Sequence, residues 1–549
     1  MASRTRSNGP NQDDLFNPEV ELLLPARLVI DGRVLGSPVR QLAVPARRVR
    51  CRLRRFAIRR VNGYETTLDS GEILKVIGAK TATPLEADLI LLVPGTTEPE
   101  QIVEALELGA GRWMNALPIG IDTLDRSARV ARLQAVSASW IDAIHLREGR
   151  AAVDGVPAQP GLRRPQIGAL HAALAHATRS TDPATIVMPT GTGKTETMLA
   201  LNANRRFERL LVVVPTDALR EQIAGKFETF GVLKQQKCLD ETAAFPLVMR
   251  LSHIPASESE VDEIFDSANV VVTTMQIAGR AEAPVQERMA ARASALFIDE
   301  AHHIGARTWK SFRGLFAEHE PPIPVIQFTA TPFREDGGRV DGEFIYTYPL
   351  KKAQLEGYFK PIRFEAVFGL DQADADQAII DKLGEVLASD LDAGLNHLAM
   401  ARCSTIERAK HLHTLYAAVY PDYRPVIVHS QQSLKERREN LAALRRFESR
   451  IIVCVDMLGE GFDLPELKIA ALHDHHKSVA VTIQFVGRFT RQDPTLGDAT
   501  VIANTGIDDV DRALAKLYAE DADWNALVEA LSSAKIERQV RRAEMFKGF

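Results

Sequence analysis

From about residue 162 onward, short apolar runs rich in β-branched residues alternate with longer stretches whose apolar positions recur every three or four residues. The runs 185–188, 210–214, 270–273, 296–298 and 325–328 carry apolar residues on both faces, as strands do when helices cover both sides of a parallel sheet. A second series follows at 397–401, 426–429, 451–455, 469–472 and 500–503, with helices predicted over 405–419 and 433–447. The pattern predicts two consecutive α/β domains, each a parallel sheet flanked by helices. Upstream, residues 15–149 mix short β-like runs with at least one helical stretch and predict a mixed α/β accessory domain. Gly155, Pro157, Pro160, Gly161 and Pro165 mark a linker after it. Helices are predicted again over 511–520 and 524–546. The expected organisation is a disordered tail (1–14), an accessory domain (15–153), two α/β domains (162–360 and 361–507) and a helical C-terminal segment (508–549).

Composition agrees with several globular units. At about 150 residues per domain, 549 residues correspond to about three or four domains, and 45% hydrophobic with 25% charged residues is ordinary for globular chains. The longest apolar runs, such as 89–93 and 210–214, fall far short of the ~20 residues that cross a bilayer. Residues 1–18 are polar and carry Asp13 and Asp14 where a secretory signal needs an apolar core, so a cytoplasmic protein with no membrane partner is expected. The net charge of -5 gives no bulk attraction for a polyanion, so any nucleic-acid site must be local. Cys51, Cys238, Cys403 and Cys454 lack paired spacing and indicate neither zinc nor a disulfide framework.

Three motifs carry chemistry. The first, Met188-Pro189-Thr190-Gly191-Thr192-Gly193-Lys194-Thr195, follows a predicted strand and opens a predicted helix. Its glycines let backbone N–H groups wrap around phosphate oxygens, Lys194 neutralises terminal phosphates, and the Thr195 hydroxyl can ligate Mg2+. Met188 replaces the first glycine of the general pattern. The second, Leu296 to His302, is an apolar strand ending in Asp299 and Glu300. An Asp at a strand tip can hold Mg2+ through water, and the adjacent Glu can orient and deprotonate an attacking water. The third runs from Gln484 to Arg491 on a predicted helix, where Arg488 and Arg491 share one face and can reach one polyphosphate.

With these elements in this order, residues 162–505 resemble the superfamily 2 helicases and translocases whose second motif reads Asp-Glu-Ala-His, in the branch near type III restriction enzymes and XPB. The resemblance implies two tandem RecA-like domains with ATP and Mg2+ between them. It assigns Lys194, Asp299, Glu300, Gln484, Arg488 and Arg491 to catalysis, and Thr195 and Asp299 to the metal. It assigns Gln166, Thr190, Gly191, Thr192, Gly193, Lys194, Thr195, Gly461 and Asp463 to the nucleotide, with Gln166 at the adenine. Pro215, Thr216, Thr273, Thr274, His429 and Ser430 match segments that touch the nucleic-acid backbone; His302, Thr329 and Thr331 match those that couple ATP to the strand. Val455 stands where many relatives carry Thr. The implied function is ATP-dependent movement along nucleic acid, DNA rather than RNA, in DNA processing, restriction or antiphage defence. The alternative is a nucleic-acid-gated ATPase switch that signals to a partner without processive unwinding. A small-molecule P-loop kinase would not need Gly461, Asp463 and the paired arginines. The N-terminal domain or the C-terminal helices offer room for a protein partner.

Two features stand outside this scheme. Eight arginines and no carboxylate lie between Arg47 and Arg60, and Arg48, Arg50, Arg52 and Arg54 alternate with Val49, Cys51 and Leu53. This predicts a strand with one basic face, serving either a nucleic-acid backbone or solvent. His473-Asp474-His475-His476 has a metal-like composition, but adjacent histidines on a strand diverge and no second ligand cluster accompanies them.

Overall fold

The computed structural model describes residues 19–504, apart from 59–60, 69–70, 79–85, 94–95, 97–98, 108, 151–157, 190, 304–305, 331, 333–338, 350–351, 354–355, 357, 359–361, 370, 456–463, 465 and 475–496. The expected tail and C-terminal helices lie outside these residues.

Four strands open the chain: β1 (Glu19–Leu24), β2 (Arg27–Val34), β3 (Ser37–Val44) and β4 (Arg47–Arg52). β1 and β4 pair antiparallel, with Leu22 opposite Val49. Along β4 the period of two places Arg48, Arg50 and Arg52 outward, while Val49 and Cys51 pack inward with Leu53. The basic strand face read from the sequence is therefore present. A five-stranded sheet follows, of β5 (Arg54–Ile58), β6 (Val61–Thr67), β7 (Ile73–Gly78), β8 (Leu89–Val93) and β9 (Arg112–Trp113), with α1 (Pro99–Glu107) against it. Leu22, Leu24, Leu74, Leu91, Ile102 and Leu106 close this core.

The β2–β3 hairpin goes elsewhere. With β10 (Ile119–Gly120) and α2 (Arg126–Ala138), it joins the first α/β domain. That domain contains α3 (Arg164–Arg179), β11 (Ala184–Val187), α4 (Lys194–Arg205), β12 (Leu210–Val214), α5 (Asp217–Thr229), β13 (Val248–Arg250), α6 (Glu258–Phe265), β14 (Val270–Thr274), α7 (Met275–Ala278), α8 (Ala283–Arg292), β15 (Ala295–Ile298), α9 (Ala306–Ala317), β16 (Val325–Thr329) and β17 (Glu343–Thr347). The sheet has ten strands in the order β10-β2-β3-β13-β14-β12-β15-β16-β11-β17. All pairs from β13 to β17 are parallel, and β3 caps the β13 edge antiparallel, with Val39 opposite Met249. β13 is short, and an open edge there would expose unpaired backbone groups.

Residues 27–44 and 119–143, expected in a separate accessory unit, thus share a core with the domain beyond the linker. Ile30, Val39, Leu133, Val136 and Trp140 pack with Val212, Phe227, Phe230 and Met249. The Trp140 ring meets Phe230 edge-on at 5.5 Å, and its Nε1 donates to the Ala244 carbonyl at 2.8 Å. Gln41, buried on β3, donates to the Phe245 carbonyl at 2.8 Å and accepts from Arg132 at 2.7 Å.

The second α/β domain comprises β18 (Ile362–Val367), α10 (Gln372–Asp392), β19 (Leu398–Cys403), α11 (Ile406–Val419), β20 (Val426–Val428), α12 (Leu434–Arg445), β21 (Ile451–Val455), β22 (Leu467–Leu472) and β23 (Ala499–Asn504). Its six strands run parallel in the order β18-β23-β22-β19-β21-β20, with one apolar core on each face. A polar network locks the end of β22. His473 Nδ1 lies 2.8 Å from Asp376 and its Nε2 2.8 Å from the Tyr416 hydroxyl. Arg408 grips Asp376 with two nitrogens at 2.8 and 2.9 Å and reaches Asp474 at 3.0 Å. Burial pushes the His473 imidazole below its usual range, so the neutral ring donates to Asp376 and accepts from Tyr416. Burial alone would raise the Asp376 carboxyl, but hydrogen bonds from His473 and Arg408 outweigh it and hold it well below the carboxylate range. His473 is thus a packing and hydrogen-bonding residue; His475 and His476 lie outside the described residues. No cluster of three or more metal-ligating side chains occurs among the described residues, and no described helix is long and apolar enough to cross a membrane.

Two stability outcomes follow from these cores. Trp140→Ala removes an aromatic side chain from the first domain and should cost about 3–5 kcal/mol, measured as a lowered urea midpoint by circular dichroism; an unchanged midpoint would contradict the shared core. Arg408→Ala leaves the buried Asp376 carboxylate without its cation and should cost about 3 kcal/mol, read as faster amide exchange in α10 and α11.

Candidate active site

The sheet order brings three strand ends together. β16 lies between β15 and β11, with Gln327 opposite Ile298 and Thr329 opposite Val187. The loop after β11 and the carboxylates after β15 therefore flank the end of β16. The Met188 N–H donates to the Thr329 carbonyl at 2.9 Å, extending the ladder into the loop.

Local bonds shape that loop. Thr192 Oγ1 donates to the Pro189 carbonyl at 2.6 Å, and Thr197 Oγ1 donates to the Gly193 carbonyl at 3.0 Å. Gly191 and Gly193 hold φ at 89° and 99°, and a Cβ on Gly193 would collide with the Gln166 side chain, so glycine is required there for both reasons. Gln166 accepts from the Arg163 N–H at 2.7 Å and donates to the Gly193 carbonyl at 3.4 Å. The Arg163 guanidinium donates to the Gly191 carbonyl at 2.6 Å. Arg163, absent from the candidates read from the sequence, is thus a second anchor of the loop; its position three residues before Gln166 was the available signal.

Lys194 opens α4 and is 8% exposed, with its Nζ 3.2 Å from Glu300 Oε1. Among the described residues this ammonium has no hydrogen bond of good geometry besides that ion pair. Asp299 continues β15, its N–H donating to the Val213 carbonyl at 2.9 Å, and its Oδ1 accepts from the Glu300 N–H at 3.0 Å. Glu300 holds φ at 49°, in the left-handed region where side-chain-bearing residues are strained and functional sites concentrate. His302, fully buried, places Nδ1 3.7 Å from Glu300 Oε2 and 3.0 Å from Thr329 Oγ1. A continuous polar path thus runs from Lys194 through Glu300 and His302 to Thr329.

The donor set fits a phosphate ester with Mg2+. A buried, ion-paired ammonium beside a glycine loop and a helix start suits phosphate oxygens. The half-buried Thr195 hydroxyl and the Asp299 carboxylate are hard oxygen donors of the kind Mg2+ takes alongside phosphate and water.

The other candidates fall in three groups. Pro215 and exposed Thr216 follow β12, and Thr216 caps α5 by accepting from the Leu219 N–H at 3.4 Å. Thr274 ends β14 in register with Val214 and caps α7 by accepting from the Ile277 N–H at 3.4 Å. Thr273 and Thr274 are both buried, at 0% and 4% exposed, and Thr273, pointing the other way along the strand, donates to the Leu251 carbonyl at 3.4 Å, so neither hydroxyl is open to a strand as the sequence reading expected. On the second sheet, His429 follows β20 and is buried, and burial together with Lys410 holds its imidazole below the usual range; Ser430 beside it is exposed. Thr190, Thr331, Gly461, Asp463, Gln484, Arg488 and Arg491 lie outside the described residues.

Comparison with known proteins matches two segments of the chain. Residues 159–334 match the family model of the type III restriction enzyme res subunit, and residues 379–493 match the helicase conserved C-terminal domain. UvrABC system protein B of Borreliella burgdorferi is 25% identical over 223 residues, 36% of this chain and 31% of that protein. Putative helicase 22 of a Sulfolobus islandicus filamentous virus is 23% identical over 233 residues, 37% of this chain and 41% of that protein. The chain therefore spans about a third to two fifths of the length of these relatives. Among solved structures, the ATP-dependent type ISP restriction-modification enzyme LlaBIII bound to DNA is similar at a TM-score of 0.45 and 17% identity, over 81% of this chain and 34% of that one. With the two models matched in succession over more than half of its length, the chain belongs to the superfamily 2 helicases, in the branch of the type III restriction enzyme res subunit.

Proposed function

We propose that the chain is a nucleic-acid-dependent ATPase that couples ATP hydrolysis to movement along DNA. The observation that carries this reading is the buried Lys194–Glu300 pair at 3.2 Å, joined through His302 to Thr329. Lys194 supplies charge for the terminal phosphates, and Thr195 with Asp299 would hold Mg2+. When bound, that ion neutralises phosphate charge and orients the leaving group. Glu300, released from Lys194 as the ammonium turns to phosphate, is the base that orients and deprotonates water. Its strained backbone and its contact with His302 tie this event to Thr329, at the end of the neighbouring strand. Thr216, exposed on the same sheet edge as buried Thr274, is the strand-facing candidate of the first domain.

The second domain's Gly461, Asp463, Gln484, Arg488 and Arg491 complete the site in this proposal, the arginines stabilising charge on the transferred phosphoryl group. A site split between two domains lets nucleotide close them and hydrolysis release them, which steps one gripping surface past the other. DNA is preferred to RNA, with restriction or antiphage defence as the setting, because the res-subunit model covers the first domain.

The test is ATPase activity with single-stranded DNA, duplex DNA and RNA at two salt concentrations. DNA should stimulate hydrolysis most, and an unresponsive ATPase would overturn the reading. Glu300→Gln should lower the stimulated rate by about 10²–10⁴-fold, the usual contribution of a positioned base, and Lys194→Ala by at least as much. Glu300→Gln at the wild-type rate would remove the role given to that residue. Stimulated hydrolysis without strand displacement or translocation would identify the gated-switch alternative.

A further inference from the structure

The β2–β3 hairpin has no part in the reading above, yet its turn stands on the edge that carries Thr216 and Thr274. Val214 of β12 lies opposite Thr274 of β14, and Val272 opposite Arg250 of β13. Continuing that register brings Ser252 level with Thr274. β3 runs antiparallel to β13 with Val39 opposite Met249, which brings the start of β3 to the same level. Direct contacts agree: Ser37 Oγ accepts from the Ser252 N–H at 3.2 Å and lies 3.1 Å from His253 Nδ1. Two strand spacings of about 4.8 Å place the turn about 10 Å beyond Thr274 along the edge.

The turn itself is unusual. Two-residue hairpin turns with positive φ at both positions favour Asn-Gly or Asp-Gly. Here the first position is Leu35, at φ 49° and 37% exposed, followed by Gly36 at φ 80°. A branched apolar side chain is thus held out at the tip in a conformation that L residues disfavour, an outlier of the kind that accompanies function. Exposed Arg33 donates Nη1 to the Gly36 carbonyl at 2.7 Å, which fixes its guanidinium at the tip. The nearby carboxylate of Asp31 is engaged by Arg40 at 3.1 Å. The arginine-rich β4, by contrast, leaves the far end of β3, about 27 Å away at ~3.4 Å per residue.

We infer that the β2–β3 turn is a further nucleic-acid contact of the first domain, with Arg33 on a backbone phosphate and Leu35 against the sugar or base of the strand beyond Thr274. This rests on the reading of the chain as a nucleic-acid motor.

The experiment is equilibrium binding of the full chain to a fluorescent DNA single strand and its duplex across a salt series. Arg33→Gln should lower the slope of log affinity against log salt by about 0.7–0.9, the share of one phosphate, and weaken binding about five- to tenfold at low salt. Leu35→Asn relieves the left-handed strain, so it should raise the melting temperature while weakening binding by about fivefold through lost apolar burial. Opposite signs in the two readouts are not produced by a scaffold role. Both variants should keep the ATPase rate measured without nucleic acid. Wild-type slope and affinity in both variants, with DNA still bound, would overturn the turn's role alone; a wild-type chain that binds no DNA would overturn the motor reading and this inference together.

Discussion

Parallel strands can be joined only by crossovers, so every strand of such a sheet enters from one edge and leaves at the other. That constraint arranges the first domain. The glycine loop follows β11, Thr329 ends β16, the carboxylates follow β15, Thr216 follows β12 and Thr274 ends β14, all on one edge. Strand order then decides which of them meet. Lys194 and Glu300 lie more than a hundred residues apart in the chain but follow strands separated by β16 alone. The same edge orientation carries the hairpin turn into line with Thr274, although its strands come from the start of the chain.

Burying opposite charges on that edge has an energetic cost that their mutual attraction only partly offsets. Lys194 and Glu300 are each almost fully buried, and Glu300 adds a left-handed backbone. Such an arrangement persists because β15, β16 and the P-loop fix both ends of it, and it leaves the ammonium poised to exchange one anionic partner for another. The second domain uses a comparable device for a different end. Arg408 neutralises Asp376 and Asp474 together, and His473 fills the remaining valence of Asp376, so the end of β22 is held against α10 and α11.

Much of this was legible in the sequence, for identifiable reasons. The strands at 210–214 and 451–455 emerge with the same bounds because short uninterrupted apolar runs rich in β-branched residues have no competing helical reading. β13 was invisible because three residues carry no periodicity, and β17 because Glu343 to Thr347 alternates weakly at the sheet edge. The phosphate loop was readable because its chemistry is local: glycines, a lysine and a hydroxyl in one turn. The left-handed backbone of Glu300 has no sequence signature. Thr273 and Thr274 look equivalent in the chain, and both are buried; only the parity of β14 sends one hydroxyl to the Leu251 carbonyl and the other to the start of α7. The membership of residues 27–44 in a sheet built mostly from residues 184–347 is a long-range fact that composition around the linker could not convey.

That last pairing also has a consequence for how the molecule is made. β3 hydrogen-bonds to β13 across about two hundred residues of chain, so at typical synthesis rates of ~5–20 residues per second the hairpin leaves the ribosome about 10–40 s before its partner. In that interval Val39 and Leu42 lack the core that later buries them, and Gln41 lacks the carbonyl of Phe245. The N-terminal region and the first α/β domain therefore do not mature one after the other: an early strand of the sheet waits across the longest stretch of chain for the neighbour that encloses it.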